Sequence, residues 1–314
     1  MPLVTSTDIA PPRGLWRRVL KVVLGVLFVV SAVLKIIDID PFEIYVYSYG
    51  FFGLDMSFLV ARAAILLELV LGICLVFNLF HKLIWWSSML MLLGYTGLMA
   101  YALWLGRTDH CHCFGEWFQL DPLRSLIKNL VLLLWLAMLY PIKGRSFRGQ
   151  LPVLVGVALA CTVAVFAVSP PDSMLRQDPS GKVVRQDLLE TALHEGPLAG
   201  RRLDEGKKLL GFFSTGCDLC KMAARKLSLM QSFCGFPEQD VCYVFMGTET
   251  GVARFFDESE STRYPYVLYD DAVPLLRLID GKFPTVVLLE NGVVAHEYGL
   301  REMDEVEINN FFLN

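Results

Sequence analysis

The chain has 314 residues, of which 54% are hydrophobic and 19% charged, with a formal net charge of -4 and a mean hydropathy of +0.49. Soluble domains use about 45 to 50% apolar residues, so this is a membrane protein. The charge is uneven: residues 1–169 hold 13 Lys and Arg against 9 Asp and Glu, whereas 170–314 hold 15 against 23. An apolar, slightly basic part joined to an acidic, polar part indicates two domains and excludes nucleic-acid binding, which needs a basic face.

Five apolar stretches approach the roughly 20 residues that span a bilayer as a helix: 17–37, 57–79, 83–105, 123–141 and 151–168. The first is too long for a signal-peptide core and lacks a small-residue cleavage site, so it reads as a retained anchor. The fifth stops at Ser169-Pro170-Pro171, where proline ends a helix. A four-span arrangement, with 151–168 lying at the interface, is the alternative. Lys and Arg favour the cytoplasmic side of membrane proteins. Arg13, Arg17, Arg18 and Lys21 precede span one, Lys82 separates spans two and three, and Lys143, Arg145 and Arg148 separate spans four and five. The alternate loops contrast: 38–55 carries four acidic residues and no Lys or Arg, and 106–125 carries only Arg107 and Arg124. The expected topology is a multi-pass protein of a bacterial inner membrane, with a cytoplasmic N-terminus and a periplasmic C-terminal domain.

Within the spans, Glu68 is costly, since a carboxylate in hydrocarbon opposes insertion by about 3 kcal/mol. It should face the bundle interior, either as a structural group that is paired or neutral, or as a proton acceptor beside a bound cofactor such as a quinone. Arg62 is expected near the outer headgroups, where its head can snorkel to water. Cys74 and Cys161 sit in apolar spans and read as packing residues.

The string Cys111-His112-Cys113-Phe114-Gly115 falls in the outer loop after span three. Two cysteines one residue apart can close only a small strained ring, and strained exposed disulfides are the labile, oxidising ones. The rival chemistry is copper or zinc held by His110, Cys111, His112 and Cys113. With Ser31-Ala32-Val33-Leu34-Lys35 ending span one and Glu68 four residues before Gly72, this string resembles the MauE/DoxX family of four-helix membrane proteins over about 15–142. MauE is named for methylamine utilisation, and the resemblance implies a role in disulfide formation beside a thioredoxin-like partner, here fused to the chain.

From 207 onward strands and helices alternate. Lys207 to Phe213 reads as a strand, Ser214-Thr215-Gly216 as a turn, and 218–233 as an amphipathic helix carrying Met222, Leu227, Met230 and Phe233. Cys217-Asp218-Leu219-Cys220 therefore opens a helix, whose N-terminal dipole favours a thiolate at Cys217. A second strand at 241–246 and a helix at 249–259 follow. Asn291-Gly292, between the apolar runs 286–289 and 293–298, is a hairpin signal, and 302–313 reads as a closing helix. A CxxC is also a zinc half-site, which Cys234 and Cys242 would complete; alternatively these two form a structural disulfide or remain free.

The CxxC after a strand, with Phe283-Pro284-Thr285 before the hairpin, resembles the thioredoxin superfamily over 185–314. That resemblance implies a cis Pro284 lining the substrate face, Cys217 as the exposed attacking thiol and Cys220 as the buried resolving one. The chain departs from common thioredoxins in having Gly216 before the first cysteine and Asp218-Leu219 inside the motif. Asp218 is expected to oppose thiolate formation at Cys217.

The expected architecture is a membrane all-α helical bundle, four-helix DoxX/MauE-like plus a fifth anchor helix, followed by an α/β thioredoxin-like domain. Its segments are 1–145 for the bundle, 146–184 for the fifth helix and a tether, and 185–314 for the thioredoxin-like domain. The expected function is membrane-bound thiol-disulfide exchange among extracytoplasmic protein thiols, Cys217/Cys220 and Cys111/Cys113, oxidative in direction and linked to a quinone, with membrane lipid as the other partner. Reductive export of electrons, a metal-binding assembly factor for an envelope enzyme, and a small quinol oxidase subunit are the alternatives.

Overall fold

A computed structural model describes residues 15–107, 122–139, 149–170, 183–269 and 271–313. The chain divides into two compact units, Met1–Phe42 with Ala61–Ser169, and Glu43–Val60 with Pro170–Asn314. The contiguous segments expected from sequence order thus exchange one piece: residues 43–60, between the first two spans, are folded with the C-terminal unit.

The first unit is built from α1 (Leu15–Ile37), the greater part of α3 (Leu54–Phe77), α4 (His81–Trp104), α5 (Pro122–Met138) and α6 (Gln150–Val168). Of these, α1, α3, α4 and α6 are long and apolar enough to cross a membrane. The fifth helix, α5, has 17 residues and is about 25 Å long, one turn short of the roughly 30 Å hydrocarbon layer. Hydrogen bonds fix how the helices alternate. At one end Lys21 of α1 donates to Asn78, which follows α3, the Phe80 N–H donates to Gln150 Oε1 of α6 at 3.3 Å, and Trp85 Nε1 of α4 donates to the Leu136 carbonyl of α5 at 2.8 Å. At the opposite end Arg62, early in α3, donates to the carbonyl of Ser169, which follows α6, at 3.1 Å. Successive helices therefore run up and down.

Inside the bundle Leu24, Phe28, Leu71, Leu75, Ile84, Leu92 and Leu136 form one cluster, while Val26, Leu90, Leu134 and Leu159 point outward as lipid requires. Helices in lipid gain nothing from burying apolar surface against each other, so close packing of small residues supplies the attraction. Gly25 and Gly72 provide it: a Cβ on Gly72 would stand 2.8 Å from the Gly25 carbonyl, and one on Gly25 would stand 2.7 Å from that of Gly72.

The second unit contains α7 (Gln186–His194), β1 (Lys207–Ser214), α8 (Asp218–Cys234), β2 (Val241–Met246), α9 (Glu249–Ser259), β3 (Tyr266–Tyr269), α10 (Ala272–Leu278), β4 (Thr285–Glu290), β5 (Val293–Tyr298) and α11 (Glu305–Leu313). The sheet order is β3-β2-β1-β4-β5, with β1, β2 and β3 parallel and β4 and β5 antiparallel to their neighbours. Both faces are covered, so the central strand β1 reads as a continuous apolar run rather than an alternating one. Leu209 and Phe213 join α8, α9 and α11 in one core, and Leu210 and Phe212 join α7 and α10 in the other. The expected hairpin forms at Asn291 (φ 52°) and Gly292 (φ 81°), two successive left-handed residues that suit the right-handed twist of the strands. This is the thioredoxin-like fold expected from the sequence.

Loop 38–55 is not irregular. It contains the unforeseen helix α2 (Ile39–Tyr47) and the first residues of α3.

Candidate functional site

Strand β1 delivers the cysteine turn. The Thr215 N–H donates to the Met246 carbonyl at 3.1 Å and the Cys217 N–H to the Ser214 carbonyl at 3.1 Å. The turn is pinned from the side as well. A Cβ on Gly247 would meet Thr215 Oγ1 at 2.2 Å, and one on Gly251 would meet it at 2.9 Å. Only glycine permits Thr215 to lie that close, and Gly247 and Gly251 were not foreseen as contributors.

Cys217 is the N-cap of α8, in extended conformation (φ -97°, ψ 116°), and its Sγ accepts the Cys220 N–H at 3.2 Å. An N-cap acceptor satisfies one of the donors that a helix start leaves open, and here the acceptor is sulfur. Cys217 is half-buried, whereas Cys220 is 0% exposed and packs with Ala223, Ala224 and Leu227. Burial, and then the hydrogen bond with Cys217, hold the Cys220 thiol far above its ordinary range. The two sulfurs are chemically unlike: one is reachable and bonded by an amide, the other is kept protonated. Both are free thiols.

Pro284 follows a cis bond from Phe283. Since Phe212 pairs with Thr285, Pro284 stands across from Phe213, at the end of β1 from which the cysteine turn departs. Asp218 is engaged by Lys221 at 2.8 Å, and Lys221 also reaches Glu258 of α9 at 2.7 Å. The charge expected to oppose a thiolate at Cys217 is therefore countered by a neighbouring ammonium. Leu219, the other residue between the cysteines, is 48% exposed.

Several expectations are corrected. Cys234 and Cys242 do not form a disulfide, nor do they complete a zinc set with Cys217 and Cys220: Cys234 packs with the core that holds Cys220, and Cys242 with the core on the other face of the sheet. Among the described residues no three His, Cys, Asp or Glu side chains gather as metal ligands would. Arg62 does not snorkel. It is 1% exposed and donates to the last carbonyl after α6, where a helix end carries partial negative charge.

Glu68 lies inside the bundle, bonded to Lys35 at 2.5 Å with both side chains buried. The Lys35 ammonium also faces the rings of Phe42 and Tyr95 at 5.4 and 5.3 Å. Removing one partner would leave the other charge uncompensated in a dry interior, so the pair is structurally demanding. Cys111 and Cys113, with His110 and His112, lie outside the described residues.

Residues 15–142 match the family model described as Methylamine utilisation protein MauE. The protein TlpB of Flavobacterium psychrophilum is similar to this chain, 25% identical over 303 residues that cover 80% of this chain and 82% of TlpB. Among solved structures, StoA from Bacillus subtilis is 20% identical over 34% of this chain and 83% of its own, with a TM-score of 0.27. A thioredoxin-related protein from Neisseria meningitidis serogroup B is 16% identical over 37% of this chain and 94% of its own, with a TM-score of 0.28. The chain is a membrane protein that joins a MauE-like helical region to a thioredoxin-like domain.

Proposed function

We propose that this protein is a membrane-bound thiol-disulfide oxidoreductase whose C-terminal domain acts on protein thiols outside the cytoplasm. The observation that carries the reading is the asymmetry of the CxxC: Cys217 capping α8 through its sulfur, and Cys220 buried and protonated beside it. In the oxidative direction the Cys217–Cys220 disulfide meets a substrate thiolate, which bonds to Cys217 Sγ while Cys220 leaves as a thiolate and takes a proton. A second substrate thiolate then attacks the mixed disulfide, releasing oxidised substrate and the reduced pair. The reduced pair passes its two electrons to a Cys111–Cys113 disulfide by the same exchange.

A quinone in the bundle is the proposed final acceptor. Within the bundle Glu68 is already bonded to Lys35, whereas the hydroxyl of Ser88 on α4 and the amide nitrogen of Asn129 on α5 are buried with no hydrogen-bond partner among the described residues. Buried donors of this kind suit a carbonyl ligand. The oxidative direction is favoured over reductive export because Cys74 and Cys161, the cysteines of α3 and α6, are buried in apolar surroundings, where a thiol is a packing group and unreactive.

The topology reading gains support from the alternation of the helices. The end of α4 and the end of α6 both lie at the Arg62 end of the bundle, opposite the end that carries Lys21 and Lys82. Trapping tests the proposal. Cys220→Ala leaves Cys217 unable to be resolved, and non-reducing gels of intact cells should show mixed disulfides to Cys111 or Cys113 and to extracytoplasmic proteins. A Cys220→Ala chain that traps nothing, while Cys217 remains alkylatable, would count against it.

A further inference from the structure

The thioredoxin-like fold does not complete its own core. The face formed by α8 and α11 takes in Ile44, Tyr47, Leu54 and Phe58 from the segment between the first two spans, all of them at most 4% exposed and part of the cluster that holds Cys220. Tyr47 meets Phe233 edge-on at 5.1 Å. Gly50 passes over the same ring with φ +67°, and a Cβ there would stand 3.1 Å from it. Phe58 lies 4.9 Å from the ammonium of Lys226, which is 1% exposed and donates to the Leu300 carbonyl at 2.9 Å.

The polar centre of this contact is Glu305, the first residue of α11. One carboxylate oxygen accepts the N–H of Leu54, the first residue of α3, at 2.7 Å. The other is 3.9 Å from the Cys234 thiol. A helix start leaves its first N–H groups open and carries partial positive charge. Glu305 therefore caps a helix 251 positions away in sequence, and Cys234 lies beneath the contact, its thiol raised to about 11 by burial and then by the Glu305 charge.

We propose that residues 43–60 form a strap that holds the thioredoxin-like domain non-covalently, with Glu305 as its clasp, so that attachment of the domain does not depend on residues 171–182. This goes beyond the exchange reaction proposed above and does not require it. The test inserts a specific protease site within 171–182 of the full-length chain, cleaves isolated membranes and washes them in physiological salt. The wild-type fragment 183–314 stays with the membranes, and its Cys234 reacts slowly with maleimide.

Tyr47→Ala combined with Phe58→Ala changes only the membrane-borne part, so the released fragment keeps its native sequence. This variant loses the fragment to the wash. Glu305→Ala also releases it and labels Cys234 at least ~10-fold faster, as the thiolate fraction rises, whereas Glu305→Gln, which keeps an acceptor for the Leu54 N–H, retains it. Loss of the wild-type fragment on cleavage alone overturns the proposal. So does retention in the Tyr47/Phe58 variant.

Discussion

Cys217 and Cys220 are separated by three positions, yet one caps a helix in partial contact with solvent and the other occupies the first fully buried position of the same helix. The helix start at Cys217 was legible in the sequence, from a polar turn after an apolar strand followed by helical spacing, whereas the burial of Cys220 was what the resemblance to thioredoxins implied. The fates of Cys234 and Cys242 were not legible, since the face of β2 on which Cys242 falls depends on strand pairing, and spacing alone does not reveal it. Cys242 has a testable consequence. Burial raises its thiol from the ordinary value of 9.0 to about 11, so the protonated form is favoured in the folded state. Its contribution to stability is complete below about pH 9 and is lost as pH rises through about 11, a linkage of about 3 kcal/mol at most. Cys242→Val keeps the side chain apolar and removes the titration. Denaturant titrations followed by circular dichroism at pH 7 and pH 11 should show a smaller alkaline loss in the variant than in the wild type; equal losses would refute the assignment.

At the scale of elements, periodicity found the long helices to within a few residues, and it found β1, β2, β4 and β5. It missed α2, α7, β3 and α10. Pro274 hides α10 from a sequence reading, but it is the third residue of that helix, in the first turn where the missing N–H has no helical partner to lose. β3 has only four residues, too few for alternation to register. Where helices touch was also invisible, because Gly25, Gly72, Gly94 and Gly97 look alike in sequence. The structure separates them: a Cβ on Gly72 strikes the backbone of α1, while one on Gly94 meets nothing within 4 Å. Alanine is the better helix former by about 1 kcal/mol, so Gly94→Ala should be neutral or stabilising. Gly72→Ala forces the crossing apart and should destabilise by about 1 to 3 kcal/mol despite that gain. Thermal unfolding in detergent reads the sign directly, and the account fails if the two substitutions move the midpoint in the same direction.

For the whole molecule, hydropathy and charge carried the division into a membrane part and an acidic domain, but residues 43–60 crossed that line unseen. In sequence 38–55 reads as an outer loop and 57–60 as part of the second span, and only the partner surface on α8 and α11 reveals that these residues pack with the C-terminal domain. The same segment bears on topology. Residues 43–60 fold with the C-terminal domain, which requires the two to occupy one compartment; in the proposed topology, argued from the positive-inside bias of the basic residues, that compartment is the outside. A dithiol at Cys111 and Cys113 can serve the CxxC only from that same side, because a bilayer bars a protein thiol from exchanging across it. Chains retaining a single cysteine at Cys217, Cys111 or Cys113 should each react with an impermeant maleimide on intact spheroplasts. A reporter cysteine replacing Lys82, in the loop between α3 and α4, should react only after permeabilisation. Labelling of Cys217 from the outside with Cys111 and Cys113 reachable only from the cytoplasm would separate the two dithiols and remove the internal exchange on which the proposed electron path depends.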